Sequence, residues 1–200
     1  MKTLIIDSSL SETSLTRKTL SLCLDYLKRE GLHEMSFLRL DDLHHEIKPL
    51  TKERLQKRKE LLAKKEYENE IFKFANILKD ADKILIASPF YDLSVPALLK
   101  CFIEMTMVDG LTFKDDGDHA KGLLKAKELL FLYVSGYEIC ESNPDFASPY
   151  IEGIAKMWGV KEYDSFHLDW NKANSLKEVP FELKEKLKHF MEWKNGNQTE

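Results

Sequence analysis

Five short apolar runs recur along this chain, and a stretch with helical spacing follows each of them. The runs are Thr3–Ile6, Met35–Leu40, Ile84–Ala87, Leu129–Val134 and Tyr163–Leu168. Runs this short are too brief for buried helices and suit strands covered on both faces. Between them, Leu20, Cys23, Leu24 and Leu27 share one face of a predicted helix over Thr16–Arg29, and Gly31 ends it. Pro96 opens another helix, with Leu98, Leu99, Phe102 and Ile103 on one side. A third starts at Ser148 or Pro149, turns Tyr150, Ile151, Ile154, Met157 and Trp158 inward, and stops at Gly159. Thr51–Lys79 reads as one long helix or two in series, and Pro180 to about Trp193 as the last. Strict alternation of this kind predicts an α/β doubly wound parallel sheet with helices on both faces and right-handed crossovers. Five strands suit the order 2-1-3-4-5.

In such a sheet, ligands bind outside the carboxyl ends of the strands, at the point where the strand order reverses. Here that point lies between the first and third strands. The loop after the first strand, Asp7–Arg17, is rich in hydroxyls and holds no glycine, so it is neither a Walker A loop nor a dinucleotide-binding turn. Its Ser9, Ser14 and Thr16 lead into a helix amino terminus, where free N–H groups favour an anion. The plainer account makes Ser14 the helix N-cap and leaves the other hydroxyls solvated. After the third strand, Ser88-Pro89 is expected to stop the sheet ladder, and Phe90, Tyr91, Asp92 and Leu93 stand just beyond it. After the fourth strand, Ser135-Gly136-Tyr137-Glu138 reaches the same edge. One loop can hold a phosphate and another can lie along a flat ring. That combination points to flavin mononucleotide.

The 43% hydrophobic and 32% charged residues describe a globular chain of 200 residues, read as one domain over 1–194 with a frayed tail at 195–200. A net charge of −4 gives no overall attraction for nucleic acid or anionic membrane. The basic stretch from Lys52 to Lys65 is interrupted by Glu53 and Glu60, which fits a solvated helix face with some i,i+4 pairing. Lys114–Lys121 reads as a charged loop. Cys23, Cys101 and Cys140 are widely spaced without a CxxC pair, which suits a reducing, cytoplasmic setting. Adjacent His44 and His45 have no metal-ligand spacing around them, so no metal site is expected. No run approaches membrane-spanning length.

With these stretches in view, the chain resembles the FMN-dependent NADH-azoreductases and NAD(P)H quinone oxidoreductases of the flavodoxin-like superfamily. The resemblance covers nearly the whole chain. Its anchors are Ser8-Ser9, then Ser14-Leu15-Thr16 at the helix start, then Ala81-Asp82-Lys83-Ile84-Leu85-Ile86-Ala87-Ser88-Pro89-Phe90-Tyr91. Pro96-Ala97-Leu98-Leu99-Lys100, Gly110-Leu111-Thr112-Phe113-Lys114, Gly122-Leu123-Leu124, Pro149-Tyr150-Ile151 and Gly159-Val160 follow in order. The resemblance implies a flavodoxin-like fold and a homodimer that passes electrons from NADH or NADPH through FMN to quinone or azo acceptors. By position, Ser9, Ser14, Leu15 and Thr16 would serve the FMN phosphate. Phe90, Tyr91, Asp92 and Leu93 would line the ribityl chain and ring, and Ser135, Gly136, Tyr137 and Glu138 would meet the ring's other edge. The flavin carries the chemistry, so no side chain is assigned as catalytic. Two departures stand out: Asp92 replaces the family's usual asparagine, and Tyr137 replaces the second glycine of a Gly-Gly pair. The alternatives are a flavodoxin-type electron carrier, or a flavodoxin-like binding module that has lost its flavin.

Overall fold

Every apolar run forms a strand in a computed structural model of the chain, which describes residues 1–192. The expected helix end at Trp193 and the tail at 195–200 lie outside those residues. In chain order the elements are β1 (Thr3–Asp7), α1 (Leu15–Arg29), β2 (Met35–Arg39), α2 (Lys52–Ala63), α3 (Lys73–Lys79), β3 (Lys83–Phe90) and α4 (Ala97–Thr106). Then come β4 (Phe113–Asp115), β5 (Ala120–Gly122), β6 (Glu128–Ser135), α5 (Ala147–Trp158), β7 (Glu162–Asp169), α6 (Trp170–Ser175) and α7 (Phe181–Met191). A parallel five-stranded sheet runs in the order β2-β1-β3-β6-β7. The expectation of 2-1-3-4-5 places all strands in one sheet. The chain has in addition two short strands, β4 and β5, which pair with each other outside that sheet.

Alternation along the strands builds two separate cores. Leu4, Ile6, Ile84, Ile86, Leu129 and Phe131 face α3, α4 and α5, where Phe74, Phe102, Ile103, Ile151 and Trp158 meet them. Ile5, Leu85, Ala87, Leu130 and Leu132 point the other way, onto Leu20, Cys23 and Leu27 of α1 and Leu183, Leu187 and Phe190 of α7. The period of two along a strand sends neighbours to opposite faces, so one central run feeds both cores. Each buried large side chain contributes about 1.5–3 kcal/mol.

Pro89 does not stop its strand. β3 continues to Phe90, with Pro89 opposite Val134 of β6. In a parallel strand, alternate residues bond to opposite neighbours. The Ala87 carbonyl accepts Ser8 N–H at 2.9 Å on the β1 side, and β1 pairing ends at Asp7 opposite Ala87. Pro89 lies two residues on and faces that same side. Its missing N–H therefore falls where no strand remains to accept it.

The stretch expected as a charged loop is a hairpin. Asp115 pairs with Ala120, Gly117 turns at φ 95°, and Asp116 Oδ1 accepts the N–H groups of Asp118 and His119 at 3.1 and 2.7 Å. The hairpin brings Gly122 against the end of α5, where Gly159 adopts φ 82°. Leu124 N–H donates to the Trp158 carbonyl there at 3.1 Å.

The Thr51–Lys79 stretch is two helices. Lys65 at φ 57° separates them, and a single 3₁₀ turn, Glu70–Phe72, precedes α3. Leu61 is the one buried residue of α2. The expected i,i+4 ion pairs are absent from α2 among the described residues: Gln56 bonds to Glu60, and Arg58 turns inward to donate to the Glu104 carbonyl at 3.1 Å. Helix α6 carries too short a pattern to be read from the sequence. Its cap, Asp169, accepts Lys172 N–H at 3.0 Å.

At the amino edge of the sheet, Lys83 and Glu128 open neighbouring strands in register. Both are almost fully buried, and Lys83 Nζ lies 3.1 Å from the Glu128 carboxylate. The same ammonium donates to the Phe190 carbonyl, and to that of Glu192 at 3.4 Å, tying down the end of α7. Oxygen and nitrogen atoms of Glu128, Glu162 and His189 lie within 4.8 Å of one another, but the Lys83 cation already neutralises Glu128 at that point.

Candidate functional site

Three loops leave the carboxyl edge of the sheet side by side, after β1, β3 and β6. The first begins at Asp7, whose Oδ1 accepts Ser9 N–H at 2.8 Å. Ser8 is buried, and its hydroxyl donates to the Ala87 carbonyl at 3.2 Å. Ser9 is fully buried, yet its Oγ has no partner. A hydroxyl left this way costs free energy unless something accepts or donates to it. Ser14 occupies the N-cap position of α1 in an extended conformation (φ −60°, ψ 131°), but its side chain makes no capping bond. The simple capping account of Ser14 is therefore corrected. The first turn of α1 contains no acidic residue, and its N–H groups carry no side-chain cap. Thr16 is buried. Leu15 turns its side chain into a small cluster with Val134, Leu168 and Ala173, so only its backbone can serve the loop.

The second loop is a two-residue turn. Tyr91 and Ser94 exchange both backbone bonds at 2.9 Å, around Asp92 at φ 49° and Leu93 at φ 69°. Two consecutive positive φ values make a turn of the type usually built from Asn-Gly. Asp tolerates the left-handed region, but Leu stores strain of order 1 kcal/mol there. Strain of this kind persists where the surroundings hold the loop. Phe146 N–H supplies that hold, donating to the Leu93 carbonyl at 3.0 Å. Phe90 ends β3 with its ring largely inside the core, 6.2 Å from that of Tyr133.

The third loop follows β6. The Ser135 hydroxyl donates to the Tyr137 carbonyl and lies 2.7 Å from His167 Nε2 on the neighbouring strand. Burial pushes the His167 pKa down, so its ring is neutral near pH 7. With Ser135 donating to Tyr137, the remaining geometry assigns the His167 proton to Nε2. The Tyr133 hydroxyl bonds to Asp145 at 2.6 Å, and Asp145 in turn caps α5 through the N–H groups of Ala147 and Ser148. Burial, followed by the Asp145 carboxylate, pushes the Tyr133 phenol well above its usual value. Gly136 is exposed, and a Cβ there would meet nothing within 4 Å. Tyr137 is 81% exposed.

Between the second and third loops lies a cavity of about 620 Å³, lined by Phe90, Tyr91, Asp92, Leu93, Ser135, Gly136, Tyr137 and Asn143. That volume falls in the range of small-molecule sites. The structure thus brings seven of the twelve expected residues to one cavity. Ser9 follows β1, the strand beside β3, and Ser14 and Thr16 lie further along at the N-cap and in the first turn of α1; none of the three lines the cavity. Glu138 does not line the cavity; its carbonyl accepts Asn143 Nδ2 at 2.9 Å. Asn143 itself is a cavity residue that the sequence shows only as part of an Asn-Pro turn. Arg17, which bonds to the first loop, and His167, which holds the third, carry no sequence signal of either task.

Comparison with known proteins identifies the family and the fold. Residues 1–193 match the family described as Flavodoxin-like fold. An FMN-dependent NADH:quinone oxidoreductase of Pelagibacter ubique is 30% identical over 193 residues, spanning 90% of this chain and 96% of that protein. One from Clostridium perfringens (strain SM101 / Type A) is 30% identical over 158 residues, 79% of this chain and 71% of its own length. In two further C. perfringens relatives the chain spans 62% and 60% of their length. Among solved structures, an FMN-dependent NADH-azoreductase from Bacillus anthracis in complex with FMN superposes with a TM-score of 0.75 at 17% identity, covering 94% of this chain and 96% of that one.

Proposed function

The chain belongs to the flavodoxin-like fold family and, within it, to the FMN-dependent NADH:quinone oxidoreductases, and from that premise we propose that it binds FMN along the carboxyl edge of its sheet and reduces quinone or azo acceptors with electrons from NADH or NADPH. The observation that carries this reading is the pairing of a buried, unpartnered Ser9 hydroxyl with an open cavity one strand away.

The residues fit FMN at both ends. Ser9 Oγ, the Ser14 hydroxyl and the uncapped N–H groups of α1 would hold the phosphate. The turn at Asp92-Leu93 would support the ribityl chain and one side of the ring, and Ser135-Gly136-Tyr137 the other. FMN, when bound, supplies the hydride and electron chemistry. The protein's part is placement. Asn143 and the Ser135–His167 bond hold the third loop open, and Tyr137 and Tyr91 form aromatic walls suited to a flat acceptor. Asp92 puts an acceptor-only carboxylate at the cavity, which disfavours an anionic ring beside it.

The reading includes one domain over 1–194 and a homodimer. Tyr137 and Phe146 are 81% and 57% exposed near the cavity, and a second copy would cover them. It also includes a cytoplasmic setting, which suits three unpaired cysteines. No helix of the described residues is long and apolar enough to cross a membrane.

The test is an absorbance spectrum after incubation with FMN and desalting. Retained flavin bands that NADH bleaches without air, and that a quinone restores, are the expected result. Bands that NADH leaves unchanged would move the protein to the electron-carrier class. No retained flavin would sink the reading.

Gly136 gives a sharper test of the third loop. The fold has no steric need for glycine there, since an added Cβ meets open space. Gly136→Ala is therefore expected to leave the unfolding midpoint unchanged while weakening FMN binding about tenfold, the effect of roughly 1.4 kcal/mol. An unchanged affinity by flavin titration would show that the ring does not approach Gly136.

A further inference from the structure

We propose that Arg17, locked to Asp7, is the positioning residue of the phosphate-binding turn, and that this lock makes the site select FMN over riboflavin. The inference rests on the FMN reading above and goes further, to a residue that touches the turn rather than the ligand.

The geometry is specific. Asp7 is buried at the end of β1. One of its carboxylate oxygens takes Ser9 N–H at 2.8 Å, and the other takes Arg17 Nε at 2.8 Å. Arg17 Nη2 donates to the Ser9 carbonyl at 2.9 Å. Both backbone polar groups of Ser9 are thereby spent on the Asp7–Arg17 pair, and only its side chain is left for a ligand. That side chain is fully buried and unpartnered. Arg17 also stands in the first turn of α1, so one guanidinium ties the Ser9 backbone to the start of the helix.

Charge gives a second reason. A buried carboxylate next to an anion-binding turn would repel a phosphate, and Arg17 neutralises it at contact distance. The remaining partner, Glu12, is 77% exposed and shared by Arg17 at 3.0 Å and by Arg39. Its exposure leaves that outer pair screened by water, unlike the Asp7–Arg17 pair. A guanidinium is suited to this task because its planar fork reaches several acceptors at once, and a lysine cannot do so.

The experiment measures the dissociation constants of FMN and of riboflavin, which lacks the phosphate, for the unmodified protein, Arg17→Gln and Arg17→Lys. Amide hydrogen exchange over residues 8–16 is followed in the flavin-free proteins. Arg17→Gln is expected to lose FMN affinity roughly 10–100-fold, the range for a charged hydrogen bond. Riboflavin affinity should change less than about threefold by the same reasoning, because the ring loops are untouched. Exchange at Ser9 should speed up. Arg17→Lys keeps the charge and guards against a folding failure; it should fall between the other two proteins in FMN affinity. Equal losses of FMN and riboflavin affinity would overturn the inference, as would an Arg17→Gln protein that binds FMN like the unmodified one. An unmodified protein that binds neither flavin would overturn this inference and the FMN reading together.

Discussion

Replacing Gly122 by alanine is expected to destabilise the protein by about 3–4 kcal/mol, the sum of severe overpacking and a lost buried hydrogen bond. The cause is backbone against backbone. A Cβ on Gly122 would stand 2.0 Å from Gly159 N, 2.2 Å from the Trp158 carbonyl carbon and 2.3 Å from Gly159 Cα. No side chain can turn aside to relieve this, so the β4–β5 hairpin must lift from the end of α5. Lifting breaks the bond from Leu124 N–H to the Trp158 carbonyl and admits water to Trp158, which is fully buried in the larger core. Gly159→Ala is a useful comparison. Its nearest contacts are looser, starting at 3.0 Å, but its φ of 82° disfavours any side chain. A cost of about 1–2 kcal/mol is expected there. Gly31, at φ 99° with nothing within 4 Å, isolates the backbone term alone, about 1 kcal/mol. Denaturant unfolding of the three variants, with limited proteolysis of the hairpin, checks the ranking. A Gly122→Ala protein within about 1 kcal/mol of the original would show that the hairpin is not packed on α5.

Lys83→Met is the second large effect, at about 3–5 kcal/mol, because it leaves a buried carboxylate without its cation. Glu128 would keep its charge in a closed setting, and the carbonyls of Phe190 and Glu192 would lose their donor. For a chain of this size the unfolding midpoint should fall by roughly 6–20 °C. The pH dependence has a definite sign. Burial already raises the Glu128 pKa above its ordinary value, and removing Lys83 raises it further. A carboxyl whose folded pKa exceeds its unfolded one binds more protons in the folded state. Stability of the variant therefore rises as pH falls through the folded pKa towards the unfolded one, and the deficit shrinks. The double variant Lys83→Met/Glu128→Leu should recover most of the loss, since an apolar pair of similar volume can replace a buried ion pair. If the single variant unfolds with the original midpoint, or the double variant is no better than the single, the pair does not hold α7 to the sheet.

How much of this protein was legible beforehand follows from the range of the forces involved. All five sheet strands were visible because each carries enough apolar residues to mark itself within a few positions. Helices α1, α4, α5 and α7 were visible for the same reason, since their buried faces repeat every three or four residues. Helix α6 was not, because six residues with one buried alanine leave no period to detect. Within the hairpin at Phe113–Gly122, the stretch Lys114–Lys121 has the composition of a charged loop, because its strands are polar and held by their turn and by α5 rather than by their own burial. Pro89 reads as a stop in the sequence because the rule against proline in a ladder is local. Whether a partner strand still lies beside it depends on where β1 ends.

The candidate site divides the same way. The hydroxyl loop, the Pro-Phe-Tyr-Asp-Leu turn and the Ser-Gly-Tyr-Glu loop were each recognisable from composition and from their place after a strand. Chain order and residue type alone thus determine the alternating α/β architecture, its two-faced core and the three loops that meet at one edge. Only the tertiary structure decided which groups are spent and which are free. Asp7 and Arg17 take the backbone groups of Ser9 and its hydroxyl is left unpartnered, while the Leu15 side chain is lost to a packing cluster. Asn143 enters the cavity through a bond to the Glu138 carbonyl. The physical reason is that burial and periodicity act over neighbouring residues, whereas hydrogen-bond satisfaction is settled among groups that only the folded chain brings together.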